Sequence, residues 1–299
     1  MEKHTAGMTS TAVAPRAADT SGLSKNGAIA AGSIAAVVAV VGVLLAANSG
    51  CSVVNPVGHR IYEIGISVVA VGILTVGVLQ SVRAEKLSRL LLMAVAACTW
   101  FWQETYGDWG AYVLYSDKFL RYSWGDTPLS VPVRCWWFVP GYLVFYTSFF
   151  LAVIAAVGIA RRRWPRTNPY VAAALLCFPG FYVFDLVWEG ITTGLGYWTY
   201  LHTFGPALHI GNGTFPLLWP ILEQVPFMIL AAFALTWKNT EGEDVFEIIA
   251  RSVIRRAPGE IATLVSWIVV TNVGFFIATI LPLIALRAVA GPNIPVVMP

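Results

Sequence analysis

The sequence predicts an all-α, polytopic membrane protein: a seven-transmembrane-helix bundle with its N-terminus cytoplasmic and its C-terminus outside. Three observations carry this reading. Mean hydropathy is +0.70. Charged residues make up 12% of the chain, against the roughly 25% usual in soluble domains. Seven apolar runs are each long enough for a hydrocarbon core of about 30 Å, which takes ~20 helical residues.

Residues 1–26, rich in Ser, Thr and Ala, read as a disordered cytoplasmic tail. They lack a signal peptide's basic start, apolar core and cleavage site. Residues 27–290 form the membrane domain and 291–299 a short C-terminal tail. The first span is Gly27–Ala47. The others are expected at His59–Val82, Leu87–Tyr106, Trp136–Ala160, Asn168–Ile191, Phe215–Trp237 and Ile261–Ala288. Only helices or closed barrels satisfy the backbone in lipid, and these runs are too long and continuous for barrel strands.

Orientation follows from the basic residues, which favour cytoplasmic loops. Fourteen of the 19 Lys and Arg fall in the tail and the 2–3, 4–5 and 6–7 loops. The other five, Arg60, Lys118, Arg121, Arg134 and Arg287, fall on the opposite side. The expected location is a bacterial-type plasma membrane, crossed many times. The net charge of +3 suggests no nucleic-acid partner.

This topology puts six carboxylates in one layer beneath the outer headgroups: Glu63, Glu104, Asp108, Asp185, Glu189 and Glu223. No Lys or Arg lies deep in the same segments. An ionised acid in hydrocarbon costs at least a few kcal/mol, and a carboxyl group kept from water favours its protonated form. Part of the set is therefore expected to act as proton donors. Asp185 and Glu189 are four apart and share a helix face, as do Glu104 and Asp108. Such pairs divide into one donor and one acceptor. The competing account for Glu104 and Asp108 is a helix end that merely reaches interface water.

Aromatic residues crowd the same layer. Trp102, Tyr106, Trp109, Tyr112, Tyr182, Trp188, Tyr197 and Trp219 are the expected substrate-binding wall. An interfacial aromatic belt would use the same residue types. The functional alternative is a surface that tolerates positive charge, worth about 2 kcal/mol when desolvated. The histidines show no metal-ligand spacing, and neither metal nor cofactor is expected. The four cysteines form no C-x-x-C pair; Cys51 and Cys135 share the outer side, where a disulfide can form. Span seven lacks the lysine a retinal Schiff base needs, and no phosphate-binding glycine motif or DDxxD motif occurs. The proline- and glycine-bearing 3–4 and 5–6 loops are long enough to form an outer lid.

One ordered set of segments resembles the AveC-like membrane spirocyclase family. It comprises WQETYGDWGAYVLY, Trp124 and Pro132, FDLVWEG with Asp185 and Glu189, GYWTY at 196–200, and FPLLWPILE ending in Glu223. The match covers roughly Trp100–Glu247. The chain reads QETYGDW where the family pattern has an Asp-Pro-x-x-Asn-Trp type sequence, a difference that bears on substrate more than on fold. The resemblance implies ring closure of a lipophilic natural-product precursor by intramembrane acids. Its namesake chemistry is spiroketal formation from a dihydroxy ketone. The design is also similar to integral-membrane terpene cyclases of meroterpenoid pathways.

Both reactions need a general acid, a cation-tolerant wall and a terminating base, and the expected enzyme is a non-redox, metal-independent cyclase of isomerase or lyase type. The first reading is a terpene cyclase acting on a prenylated small molecule, with Asp185 and Glu223 as donors and Glu104, Asp108 and Glu189 as partners or bases. The second is a spiroketal cyclase and dehydratase of a polyketide, with Thr192, Thr193, Asn212 and Thr214 holding hydroxyls. A prenyltransferase or a polyketide synthase would act upstream, respectively. The third is a proton-coupled transporter, disfavoured because the acids share one layer and no internal repeat or pair of broken helices is evident.

Overall fold

The computed structural model describes residues 56–120, 128–131, 134–211, 213–253 and 259–294. The N-terminal tail, the first span, Cys51, Trp124, Pro132, Asn212 and the last five residues lie outside them, so the calls made on these residues and on a Cys51–Cys135 bridge are not addressed by the structure.

Among the described residues, five helices are long and apolar enough to cross a membrane. Helix α1 (Pro56–Ala84) turns sharply into α2 (Arg89–Cys98). The turn is tied by Ser88, whose hydroxyl donates to the Gly77 carbonyl and accepts from the Leu91 amide. Here α2 also rides directly over Gly77, where an added Cβ would sit 3.1 Å from the Leu91 backbone. The expected third span is not one helix: after Cys98 the chain breaks and resumes as α3 (Phe101–Ala111). Asn272 holds the break from the far end of the sequence. Its amide donates to the Thr99 hydroxyl at 2.7 Å, and its carbonyl oxygen accepts from Gln103 and Trp102.

Strand β1 (Val113–Tyr115) leads to α4 (Phe138–Arg163) and, through a short basic turn, to α5 (Pro169–Gly194). Asn168 caps α5 by accepting from the Tyr170 and Val171 amides, with Pro169 at the first helical position. Strands β2 (Trp198–Tyr200), β3 (Ala207–Ile210) and β4 (Gly213–Pro216) follow. The span expected at Phe215–Trp237 starts later, as α6 (Trp219–Thr236), because Phe215 belongs to β4. The 6–7 connection contains α7 (Val245–Val253). Asp244 accepts from the Glu247 amide and Glu247 from the Asp244 amide, a reciprocal capping box. The ring of Phe246 then stacks on Trp267 at 3.8 Å. The last span is α8 (Gly259–Phe275), a π turn (Phe276–Ile280) and α9 (Leu281–Ala290).

The molecule is thus mostly helical, with two small ribbons added. The helix Phe101–Ala111 that follows the break packs beside the π turn Phe276–Ile280. Their junction is filled: Trp100 is fully buried, stacks on Phe275 at 4.7 Å and donates to the Thr271 hydroxyl. Tyr142, Tyr146, Phe149, Phe150 and Phe227 complete this aromatic core. Helix α3 meets α9 closely, since an added Cβ on Gly110 would lie 2.9 Å from the Leu283 backbone.

The basic loops converge at one end of the bundle. Arg89 donates to the Leu235 carbonyl and Arg161 to the Thr236 carbonyl, while the Leu87 amide donates to Glu260. The acids gather at the other end, under the ribbons.

Candidate active site

A cavity of about 770 Å³ lies between α3, α4, α5 and α6. Glu104, Asp108, Asp185, Glu189 and Glu223 all line it, brought there from three separate helices. Among the described residues no Lys or Arg lines it.

Its roof is a two-stranded ribbon. The 3–4 and 5–6 loops pair as β1 and β2, with Val113 opposite Tyr200 and Tyr115 opposite Trp198. Alternation along a strand turns these four side chains to one face, and all four line the cavity. The roof also supplies hydrogen-bond donors. Trp198 Nε1 and Tyr200 Oη both donate to Glu189 Oε2, at 2.7 and 2.9 Å. Tyr115 Oη donates to Glu104 Oε1 at 3.1 Å and lies 3.4 Å from Asp108 Oδ1. Burial, reinforced by the nearby acids, raises the Tyr115 and Tyr200 phenols well above their usual range, so both stay protonated donors.

The acids differ in how they are held. Glu104 and Glu189 each receive two donors, Glu104 taking its second from Tyr142 on α4. Asp108 is buried and its Oδ2 has no hydrogen-bond partner among the described residues. Asp185 receives one donor, the Gln224 amide at 3.2 Å. Glu223 makes no side-chain hydrogen bond among the described residues. Two acids are therefore braced to carry negative charge, and three, Asp108, Asp185 and Glu223, face the cavity with one donor or none among the described residues.

Glu63 is the exception. It shares the layer but does not line the cavity. Its side chain points to the 3–4 loop, where Oε1 accepts from the Leu120 amide at 2.7 Å and Oε2 pairs with Arg60. Its place is structural: it anchors the segment that follows β1. Glu63→Ala is expected to cost about 1.5–3 kcal/mol, the worth of a hydrogen bond to a charged group. Thermal unfolding in detergent should show the loss, with turnover per folded molecule unchanged.

The aromatic wall also differs from expectation. Of the eight residues assigned to it, Trp188 and Trp219 line the cavity. Trp102 is held by Asn272 and packs on Tyr106. Trp109 and Tyr112 sandwich the Arg287 guanidinium at 4.0 and 3.9 Å. Tyr182 donates to the Leu217 carbonyl, and Tyr197 packs against Tyr62, Phe119 and His59. The wall is instead completed by Tyr62, Tyr115, Trp137, Tyr142, Tyr146 and Trp198.

The proposed hydroxyl holders face elsewhere too. Thr192 and Thr193 are buried and donate to the carbonyls of Trp188 and Glu189, and the Thr214 amide donates to Thr193. Besides the acids, Tyr115, Tyr142, Tyr200 and Gln224 bring polar groups to the cavity near them. Cys135 is buried, which pushes its thiol up and away from reactivity. Among the described residues no three His, Cys, Asp or Glu side chains converge as a metal site requires.

The arrangement defines a polytopic helical membrane protein with an acid-lined, aromatic-walled chamber. Residues 82–293 match the family described as "Spirocyclase AveC-like". The chain belongs to that family, a family of cyclase and dehydratase enzymes. No curated protein and no solved structure matches it. The matched segment holds every acid of the chamber and excludes Glu63.

Proposed function

We propose that the protein closes a spiroketal, or removes water, in a lipophilic polyketide-type precursor by general-acid catalysis in this chamber. Family membership favours this over the prenyl cyclisation placed first on sequence grounds. The observation that carries it is the unequal bracing of five acids around one aromatic-walled cavity. Several hydroxyl and amide groups at the cavity suit a polyhydroxylated substrate better than a hydrocarbon one.

Asp185 and Glu223 are the proton donors in this reading, and Glu104 and Glu189 the acceptors. A donor protonates the ketone oxygen, and one substrate hydroxyl adds to the carbon, passing its proton to an acceptor. The hemiketal hydroxyl is then protonated and leaves as water. The oxocarbenium ion left behind faces Trp188, Trp219 and Trp137, a surface able to stabilise it by up to about 2 kcal/mol when dry. The second hydroxyl adds and its proton returns the acids to their starting state. One water is lost overall. With the basic loops cytoplasmic, the chamber would sit under the outer leaflet of a seven-span protein.

The test is an assay with synthetic long-chain dihydroxy ketones on the purified protein in lipid nanodiscs. A product lighter by one water, absent from empty nanodiscs, is expected. A prenylated phenol cyclised in its place would return the earlier reading to first position.

A further inference from the structure

The acid chamber is one end of a longer cavity. Along α4 its lining runs from Gly141 to Ile159, about 27 Å at the helical rise of ~1.5 Å per residue. The acids occupy only the ribbon end. Beyond Tyr146 the walls are Ser148, Ala152, Ala155 and Ala156 of α4 and Leu176, Cys177 and Gly180 of α5, with no acidic or basic side chain among the described residues. The α4 residues recur on one helix face, and their small side chains leave the arm open.

The two ends differ in access. The roof residues Val113, Tyr115 and Trp198 are buried, and they seal the chamber on the ribbon side. The arm is open at its flank: Ile159 is 46% and Leu176 40% exposed although both line the cavity. That flank belongs to two membrane-spanning helices. Asp108, buried and with an Oδ2 that has no hydrogen-bond partner among the described residues, gives the same cavity a polar group at its other end.

We infer that substrate enters sideways from the bilayer between α4 and α5, and that its saturated hydrocarbon chain stays in the arm while the oxygenated portion reaches the acids. This rests on the proposed reading of the chamber and adds to it the amphiphilic class of the substrate: a long alkyl chain ending in a polyoxygenated head.

A long-chain fatty alcohol bearing a chain-borne diazirine is the probe, photolysed with the full-length protein in nanodiscs and mapped by mass spectrometry. Crosslinks at Ser148, Ala152, Leu176 and Cys177 are expected, together with slowed reaction of Cys177 with a lipid-soluble maleimide. An added Cβ at Gly180 meets nothing within 4 Å, so Gly180→Leu fills the arm without backbone collision. It should lower arm labelling about tenfold, the factor that excluding two methylenes produces. Gly72 on α1 is equally open, and Gly72→Leu should leave labelling intact. Asp185→Asn should also keep it, because capture of the chain needs no proton transfer. Labelling spread evenly over the lipid-facing helices, or unaffected by Gly180→Leu, would overturn the arm while leaving the acid chemistry standing. Crosslinks confined to residues 27–47 would overturn it as well, by making that segment the occupant.

Discussion

Asp185→Asn and Glu223→Gln are each expected to lower cyclisation by about 10²–10⁴-fold, the contribution of a positioned general acid. Both side chains reach the cavity, and neither is braced by more than one donor. The amides are close in shape, keep hydrogen-bonding capacity and cannot supply a proton. Membrane insertion and thermal unfolding should therefore stay near wild type while product formation collapses. Glu189→Ala gives the contrast. It removes the acceptor held by Trp198 and Tyr200 altogether, so the roof should loosen and stability should fall along with activity, whereas the amide oxygen of Glu189→Gln still accepts from both. Product formation by Asp185→Asn and Glu223→Gln at the wild-type rate would remove these two from the mechanism.

Trp100→Ala is expected to have the largest effect on stability. The indole sits at the break between α2 and α3, packed by Tyr146 at 4.8 Å, Phe227 at 5.5 Å and Phe150 at 5.6 Å as well as by Phe275. Removing it leaves a large internal void, at a cost of roughly 3–5 kcal/mol for this class of substitution. Trp100→Phe keeps most of the packing and loses the bond to Thr271, a net loss of about 0.5–1.5 kcal/mol. Thermal unfolding in detergent should rank the two in that order. Tyr142 and Tyr146 lean on the same ring and also line the cavity. Activity in Trp100→Ala should fall further than the folded fraction alone explains.

Position along each helix was legible in the sequence, and direction around it was not. Apolar length and basic loops placed all six acids in one layer, and five of them line one cavity. Glu63 lies toward the same end of the bundle but points at a loop amide, which no spacing argument foretells because its partner, Leu120, is far away in sequence. The aromatic residues failed for the same reason. Composition cannot separate Trp188, on the cavity, from Trp109, on Arg287. Tyr142 and Tyr146 carried a signal that went unread: two tyrosines four apart inside an otherwise apolar span, on the face that meets the acids.

The roof was hidden more deeply. VLY and WTY are three-residue strands, too short for alternation to show, and only their pairing places Tyr115, Trp198 and Tyr200 over the acids. The third span read as continuous because hydropathy does not register a break made by Thr99, Asn272 and Gln103. Divergence from the family pattern at QETYGDW also gains meaning. Glu104, Gly107 and Asp108 of that block line the cavity, so it falls on the wall that would meet substrate.

Infrared spectroscopy of the purified protein in lipid at pH 7 tests the account most directly, because everything in it requires chamber acids that still hold a hydrogen. A carbonyl band of un-ionised carboxylic acid is expected, shifted in heavy water and diminished in Asp185→Asn or Glu223→Gln. A spectrum containing only carboxylate bands, unchanged by either substitution, would contradict it.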